Sequence, residues 1–408
     1  MASNLVFLLS FLVAVIFLLF LAKHALNRTK SAKLAYINMT PRLNLIGDSP
    51  AKLWGLPIRE WQERAFTKAG VTQNANAQST VHIGIEWVLS AALAKAFVAG
   101  GRIALIADNK IIGVNDVDAA LAQSLIGQAI EALVGTDIKP VHPYDLDDGY
   151  NKALRKTEPP YALNIHETPI AQIQKRQYNS SYKGITDFVT KWFWPLPAFY
   201  ATRLCAALRL TPNMVTTVSL ILTFLAIYYF AKGDWVMGFV TGWLMTFLDT
   251  VDGKLARTTM TYSKWGNLYD HGIDAIHPPF WYIAWFVGLG SNLIWPQFWT
   301  DPMSLAMVAI IIGYLLDRLF EGIFMRKYGF HIHVWKKFNS MLRFFIARRN
   351  PNMFIFMIGI ALTAWYPNSG KIAFITIAVW VWICLSINFI TLIIASSAKK
   401  PLKSWMAV

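Results

Sequence analysis

Long apolar runs separated by short charged stretches occupy the C-terminal half of the chain. They predict six helical spans, at residues 212–231, 235–256, 267–290, 304–325, 352–366 and 371–395. A helix needs about 20 apolar residues to cross the hydrocarbon core of a bilayer. An earlier apolar run at residues 5–22 has no basic region before it and several basic residues after it. This order favours a retained anchor over a cleaved signal peptide, so we expect residues 1–34 to be an N-terminal transmembrane anchor with a basic flank.

Residues 35–175 are more polar and contain shorter periodic segments. Residues 80–99 fit a helix ended by two glycines, and residues 117–134 fit another. Residues 102–107 and 110–114 fit two strands joined by a turn at Asp108 and Asn109. We therefore expect a soluble, cytoplasmic α/β domain over residues 35–175, followed by an aromatic and basic interfacial segment over residues 176–211. Pro195 and Pro197 predict that this segment is built from two short pieces.

Composition and charge support a membrane location. Hydrophobic residues make up 55% of the 408 residues and charged residues 15%, with a net charge of +15. If the spans alternate in direction, every Lys and Arg except Lys232 and Lys371 falls on the cytoplasmic side or within a span, as the positive-inside rule requires. The charge therefore indicates membrane topology and anionic headgroups, with no nucleic-acid partner. We expect an integral protein of the inner (cytoplasmic) membrane of a prokaryote, with the basic loops and the active site on the cytoplasmic side.

Four carboxylates lie where two predicted spans meet. Asp249 and Asp252 are three residues apart, and Asp270 and Asp274 are four apart, so each pair shares one face of a helix. A carboxylate at membrane depth is costly unless it is paired or bound to a cation, which makes such residues candidates for function. Two classes of protein use them in this way: a metal-dependent enzyme, and an ion-coupled membrane transporter that binds its cargo cation.

The same run resembles the signature of the CDP-alcohol phosphotransferases, D-x2-D-G-x2-A-R-x8-G-x3-D-x3-D. The matching residues are Asp249, Asp252, Gly253, Ala256, Arg257, Gly266, Asp270 and Asp274. The resemblance implies a membrane all-α core of six transmembrane helices over residues 212–408, working as a homodimer. It also implies transfer of a phospho-alcohol group from a CDP-alcohol donor to the hydroxyl of an alcohol acceptor, with release of CMP.

The resemblance assigns roles to the aspartates. It implies a cofactor of Mg²⁺ or Mn²⁺ bound by Asp249, Asp252 and Asp270, with Asp274 completing the metal site and acting as the general base. Hard divalent cations prefer such oxygen ligands, and bound cations stabilise the charge that develops in phosphoryl-type transfer. A carboxylate is a suitable acceptor for the hydroxyl proton.

Residues around the aspartates are candidates for binding the two substrates. The CDP-binding candidates are Asn213, Thr216, Asp252, Gly253, Ala256, Arg257 and Gly266. Small side chains let nucleotide approach a helix closely, and an arginine can pair with phosphate, although helix capping accounts equally well for Asn213 and Thr216. The acceptor-binding candidates are Arg318, Arg348 and Arg349, for which ion pairing within the bundle or contact with headgroups is the alternative.

The α/β region resembles the sugar-phosphate nucleotidyltransferase fold, which is joined to a CDP-alcohol phosphotransferase in the inositol-phosphate enzymes of archaea and bacteria. The region lacks the G-x-G-x-R loop and following Pro-Lys that would hold a triphosphate. Glu86 stands where a metal-binding aspartate is expected. We therefore expect a degenerate domain retained for docking or regulation. The resemblance favours inositol phosphate or another polyol phosphate as the polar partner and a phospholipid or lipid-linked phosphodiester as the product.

Overall fold

The computed structural model describes residues 40–72, 79–291, 299–398 and 401–407. The predicted anchor at residues 5–22 lies outside the described residues. An α/β domain occupies residues 40–180, and a helical domain begins after it.

The elements of the α/β domain follow one another closely along the chain. In order they are β1 (Arg42–Ile46), β2 (Lys52–Leu53), β3 (Leu56–Pro57), α1 (Ile58–Ala69), β4 (Thr80–Gly84), β5 (Trp87–Leu89), α2 (Ala91–Ala99), β6 (Ile103–Ala107), β7 (Lys110–Asn115), α3 (Ala119–Leu125), β8 (Lys139–Val141), α4 (Pro143–Leu146), β9 (Tyr150–Asn151), β10 (Lys156–Thr157), β11 (Ala162–Asn164) and α5 (Ile170–Ser180).

A five-stranded mixed sheet organises this domain, in the order β1-β4-β7-β6-β8. The two outer pairs, β1 with β4 and β6 with β8, are parallel, and the central pairs are antiparallel. Helices α1 and α2 pack on the sheet through Phe66 and Phe97, which are fully buried among strand residues such as Leu105. The central strands β4, β7 and β6 are buried on both faces, because helices or loops cover both sides of the sheet.

The hairpin predicted around Asp108 and Asn109 is confirmed. β6 and β7 pair antiparallel, and the two connecting residues have φ of 49° and 59°. Positive φ at both central residues is the geometry of a type I′ turn, which Asn and Asp adopt more readily than most residues.

The helix predicted over residues 80–99 is wrong in its first half. Only Ala91–Ala99 is helical, capped by Ser90, and the preceding residues form β4 and β5. β4 is buried between β1 and β7, and a fully buried strand cannot be told from a buried helix by hydrophobic periodicity.

The helix predicted over residues 117–134 is interrupted. α3 ends at Leu125, and Gly127 adopts a φ of 91°. A glycine in this left-handed conformation ends a helix, and a short 3₁₀ turn follows at Ile130–Leu133.

The helical domain begins with a π-helical turn at Val189–Phe193. Its helices are α6 (Pro195–Ala207), α7 (Pro212–Lys232), α8 (Trp235–Thr258), α9 (Lys264–Gly288), α10 (Pro302–Tyr328), α11 (Lys337–Phe345), α12 (Arg349–Ala361) and α13 (Ser369–Ser396). The turn and α6 are the two short pieces predicted for residues 176–211, and Pro195 occupies the first position of α6, where its fixed φ suits a helix start.

Helices lie at all six predicted spans. Three of them, α7, α10 and α13, are long and apolar enough to cross a membrane. α8 and α9 carry the charged signature, and α12 has 13 residues. The six helices share one core, in which Phe230, Trp285 and Phe356 are fully buried.

The α/β domain packs directly against the helical domain. Trp54 and Trp61 lie in one buried cluster with Val251 and Leu255 of α8. Trp61 Nε1 donates to the carbonyl oxygen of Thr258 at 2.8 Å, at the end of α8 where the chain turns towards α9. The α/β domain is therefore held against the segment that connects the two aspartate-bearing helices.

Candidate metal and nucleotide site

The four signature aspartates lie on two neighbouring helices, Asp249 and Asp252 on α8 and Asp270 and Asp274 on α9; we call them the aspartate centre. Carboxylate oxygens of three of them, Asp249, Asp270 and Asp274, lie within 4.8 Å of one another. The side chain of Ser263 begins α9 by accepting a hydrogen bond from the amide of Gly266. The helical spacing predicted from the sequence thus brings these carboxylates to one point.

Asp252 is the most deeply buried member of the centre, with 2% of its surface exposed. One carboxylate oxygen accepts a hydrogen bond from Thr216 Oγ1 at 2.5 Å. The other, Oδ1, is buried and has no hydrogen-bond partner among the described residues. A buried carboxylate oxygen without a donor is costly, and a bound cation would satisfy it.

Arg349 bridges two of the aspartates. Its Nη2 lies 2.7 Å from Asp249 and its Nη1 lies 2.6 Å from Asp274. The sequence predicts that Arg349 contacts an acceptor phosphate, and the structure brings its guanidinium group into the aspartate centre. Arg349 pairs with only two of the four carboxylates, and Asp252 Oδ1 has no hydrogen-bond partner among the described residues. Hard oxygen donors in this number suit Mg²⁺ or Mn²⁺.

The predicted nucleotide residues surround the same point. An ideal Cβ at Gly266 would lie 3.2 Å from Asn213 Oδ1, so the glycine lets α9 approach the first turn of α7. A Cβ at Gly253 would lie 2.9 Å from an Nη of Arg257. Arg257 in turn donates from Nε to the carbonyl oxygen of Ser181 at 2.9 Å, and it interacts electrostatically with Asp252 and Asp270. Ala256 lies on the same helix, one residue before this arginine.

The other two acceptor candidates are engaged in ion pairs. Arg318 pairs with Asp317 at 2.7 Å and with Glu321 at 3.0 Å. Arg348 also hydrogen-bonds Glu321 and lies 3.3 Å from His333. Both arginines therefore belong to a polar network between α10 and the loop before α12.

Two basic residues that the sequence does not single out, Lys183 and Arg343, also lie in this region. Lys183 interacts electrostatically with Asp270 and Asp274, and Arg343 is 8% exposed. A local signal is lacking because Lys183 lies in the linker between the two domains, residues 181–188, and Arg343 lies in the short helix α11, in a stretch rich in basic residues.

Comparisons with known proteins find similarity in the helical domain. Residues 209–398, which include the whole aspartate signature, match the sequence model of the CDP-alcohol phosphatidyltransferase family. The archaetidylinositol phosphate synthase of Pyrococcus horikoshii is 33% identical over 90 residues, which are 22% of this chain and 47% of that protein. An uncharacterized class-I CDP-alcohol phosphatidyltransferase family protein of Schizosaccharomyces pombe is 30% identical over 122 residues, 26% of this chain and 31% of that protein. The matches therefore span less than half the length of both relatives.

Among solved structures, the phosphatidylinositol phosphate synthase of Mycobacterium tuberculosis with CDP-DAG bound has a TM-score of 0.38 at 15% identity, covering 48% of this chain and 92% of that chain. The same enzyme in complex with manganese and citrate also gives a TM-score of 0.38 at 15% identity, covering 48% of this chain and 88% of that one. Residues 209–398 of this chain are thus similar to the CDP-alcohol phosphatidyltransferase family, and this match covers a little less than half of the chain.

Proposed function

We propose that the protein transfers a phospho-alcohol group from a CDP-alcohol to an acceptor hydroxyl and releases CMP. The observation that carries this proposal is the convergence of the complete family signature on one site, with three carboxylates within 4.8 Å. The acceptor oxygen forms a bond to the β-phosphorus of the donor, and the bond from that phosphorus to the oxygen of CMP breaks. The hydroxyl proton passes to a carboxylate of the protein.

Asp249, Asp252, Asp270 and Asp274 would hold Mg²⁺ or Mn²⁺. When bound, such a cation neutralises diphosphate charge and stabilises the departing CMP. The unsatisfied Oδ1 of Asp252 and the pairing of Arg349 with only two of the four carboxylates fit this cofactor. Arg257 would bind phosphate through its guanidinium group.

Asp274 is the residue we assign to the acceptor proton. Its side chain is 40% exposed, against 17% for Asp249 and 24% for Asp270, so an acceptor hydroxyl can reach it. Arg349 holds Asp274 Oδ1 in place. The arginine thereby fixes the orientation of the general base, which is a requirement for proton transfer.

For the substrates, we propose a polyol phosphate such as inositol phosphate as acceptor and a lipid CDP-alcohol as donor. The Pyrococcus relative is named for an inositol phosphate lipid, which supports inositol phosphate as the acceptor. We also propose six membrane spans with the aspartate centre on the cytoplasmic side of a prokaryotic inner membrane, and a homodimer. The distribution of basic residues supports the orientation.

The test is metal-dependent release of CMP from CDP-diacylglycerol by the purified protein in detergent, with inositol phosphate as acceptor. Asp252→Asn and Asp274→Asn are expected to abolish release. Asp108→Asn removes an exposed carboxylate from the hairpin turn, where Asn fits the same φ, and should leave release unchanged. Metal-dependent release that survives both active-site changes would contradict the proposal. Absence of CMP release together with cation transport in vesicles would support the transporter instead.

A further inference from the structure

Positive side chains from three parts of the chain converge beside the aspartate centre. We call Arg155, Lys183, Arg343 and Arg348 the cationic cluster. Arg155 lies between β9 and β10 of the α/β domain, Lys183 lies in the linker, and the other two lie at either side of the end of α11. Arg155 interacts electrostatically with Lys183, Arg343 and Arg348. The cluster therefore joins the two domains.

Close backbone contact fixes the position of Arg155. The amide of Gly184 donates to the carbonyl oxygen of Leu154 at 2.8 Å, and a Cβ at Gly184 would lie 2.5 Å from the carbonyl oxygen of Arg155. Only glycine permits this approach. The next residue, Ile185, is buried against Phe324 of α10. The linker thus holds the Arg155 turn against the helical domain.

Several nitrogen atoms of the cluster are buried without partners. Arg343 is 8% exposed, and its Nε and Nη1 have no hydrogen-bond partner in the described part of the chain. The Nε atoms of Arg155 and Arg348 are likewise buried, with no partner among the described residues. The carboxylate of Asp187, which interacts electrostatically with Arg343, accepts instead from Thr190 and Asn350. Buried guanidinium N–H groups are costly when unsatisfied, so the cluster is suited to an anionic ligand.

The charge of the surrounding network also favours an anion. Asp270 and Asp274 also face Lys183, but they belong to the aspartate centre. Outside that centre, the cluster together with Arg318 has five cations against three carboxylates, Asp187, Asp317 and Glu321. Burial lowers the pKa of His331 and of His333 to about 3, so both are neutral at pH 7. The excess is two positive charges, and a phosphate monoester carries about −1.5 to −2 at this pH.

The cluster lies within reach of the catalytic residues. Lys183 interacts electrostatically with both Asp270 and Asp274. Arg348 precedes Arg349, which pairs with Asp274. An anion held by the cluster would therefore be placed beside the carboxylate that we assign to the acceptor proton.

We propose that the α/β domain forms one wall of the acceptor site, with Arg155, Lys183 and Arg343 binding the phosphate monoester of the acceptor while a hydroxyl of the same molecule reaches Asp274. This inference rests on the proposed function. It gives the α/β domain a role in recognising the acceptor, which does not require nucleotidyltransferase chemistry.

The test uses the full-length protein in phosphatidylcholine nanodiscs and Arg155→Asn. Arg155 has a φ of 54°, a conformation that Asn tolerates well, so this change removes the charge and keeps the turn. Initial rates of CMP release are measured against inositol phosphate concentration at saturating CDP-diacylglycerol. The KM for inositol phosphate should rise about tenfold or more, while the KM for the donor and the affinity for Mn²⁺ stay unchanged.

Two further variants separate a binding role from a structural one. Arg155→Lys should recover part of the acceptor affinity, because it restores the charge. Lys152→Ala removes an exposed cation from the same turn and should leave the acceptor KM as in the original protein. An equal effect of Lys152→Ala and Arg155→Asn, or no effect of Arg155→Asn, would overturn the inference.

A binding measurement without turnover tests the anion site separately from the proposed reaction. Inorganic phosphate is titrated into the protein by calorimetry, without donor. Loss of phosphate binding in Arg155→Asn supports the anion site even if the original protein releases no CMP, and in that case only the proposed reaction fails. A lipid headgroup offers the same phosphate chemistry, so the titration is repeated with phosphatidic acid in the nanodiscs. If phosphatidic acid blocks the site but inositol phosphate does not compete with inorganic phosphate, the assignment to the acceptor is wrong.

Discussion

The aspartate centre and the cationic cluster are neighbouring charged sites of opposite sign, and they are built differently. The aspartate centre comes from 26 consecutive residues on α8 and α9, Asp249 to Asp274. The cationic cluster takes side chains from the β9–β10 turn, the linker and the region around α11. The first site is contained in one helix pair, whereas the second exists only when the α/β domain is docked on the helical domain.

This difference suggests a division of labour. A metal site needs carboxylates in a fixed relation to one another, which two adjacent helices supply through their regular spacing. An acceptor site must adapt to the shape and charge of a particular alcohol, and loops and an added domain can supply that selectivity. We therefore expect changes in the aspartate centre to abolish turnover and changes in the cationic cluster to alter one substrate constant.

The largest effect is expected for Asp270→Asn. Removing a carboxylate from the centre should weaken Mn²⁺ binding and reduce CMP release by about 10³-fold or more, because metal stabilisation of the transition state amounts to several kcal/mol. Electron paramagnetic resonance of free Mn²⁺ and the CMP assay measure the two quantities. Asp108→Asn is the matched control. Normal Mn²⁺ affinity in Asp270→Asn would contradict the assignment of this residue as a ligand.

The predictability of the two sites from sequence follows from how they are built. The spacing of Asp249, Asp252, Asp270 and Asp274 carries its own geometry, because a helix fixes the direction of residues three and four apart. The turn at Asp108 and Asn109 is likewise determined by neighbouring residues in the sequence. No spacing along the chain connects Arg155 with Arg343, and their meeting depends on how the domains pack.

The misassigned elements have the same origin. Residues 80–84 form a strand because β1 and β7 pair with it from distant positions, and an apolar run does not contain that information. The predicted contact of Arg349 with an acceptor phosphate rests only on its place at a span entrance and stays a prediction. The pairing of Arg349 with Asp249 and Asp274 depends on α12 packing beside α8 and α9.

The second prediction tests the dependence of the cationic cluster on docking. Trp61 is 1% exposed at the domain contact, so Trp61→Ala should lower the free energy of unfolding by about 3–5 kcal/mol. It should weaken acceptor binding more than Mn²⁺ binding. Thermal unfolding in detergent and the two affinities are the measurements. Trp61→Phe keeps a six-membered ring and loses the hydrogen bond to Thr258, which should cost about 1–3 kcal/mol, less than Trp61→Ala. Equal losses of acceptor and Mn²⁺ affinity in Trp61→Ala would show that the two sites are not independent.

A third prediction concerns Arg349, the cation inside the aspartate centre. Arg349→Gln leaves Asp249 and Asp274 without their partner, so the metal-free protein should unfold at a lower temperature than the original protein. Mn²⁺ supplies the missing positive charge and should raise the unfolding temperature of the variant more than that of the original protein. Arg318→Gln is the comparison, since it breaks an ion pair outside the centre, and its instability should not respond to Mn²⁺. A Mn²⁺ effect of the same size in both variants would contradict the electrostatic role of Arg349 in the centre.

The smallest effect is a dependence on pH that only the cationic cluster should show. Burial, with the charges of Arg155 and Arg257, lowers the pKa of Lys183 to about 8, against the opposing influence of Asp270 and Asp274. The neighbouring His331 has a pKa of about 3 and stays neutral above pH 7.

Lys183 is positive below its pKa and loses its charge as the pH rises, so kcat/KM for the phosphate-bearing acceptor should fall above about pH 8, since this ratio reports groups of the free enzyme. In Lys183→Arg the charge persists, because an arginine keeps its proton far above this range, and the decline should move to higher pH. The kcat/KM for the donor is recorded over the same pH range as a control, because a titration that affects both substrates lowers both ratios. A decline that is identical in the original protein and in Lys183→Arg would assign it to the aspartate centre or to the acceptor itself.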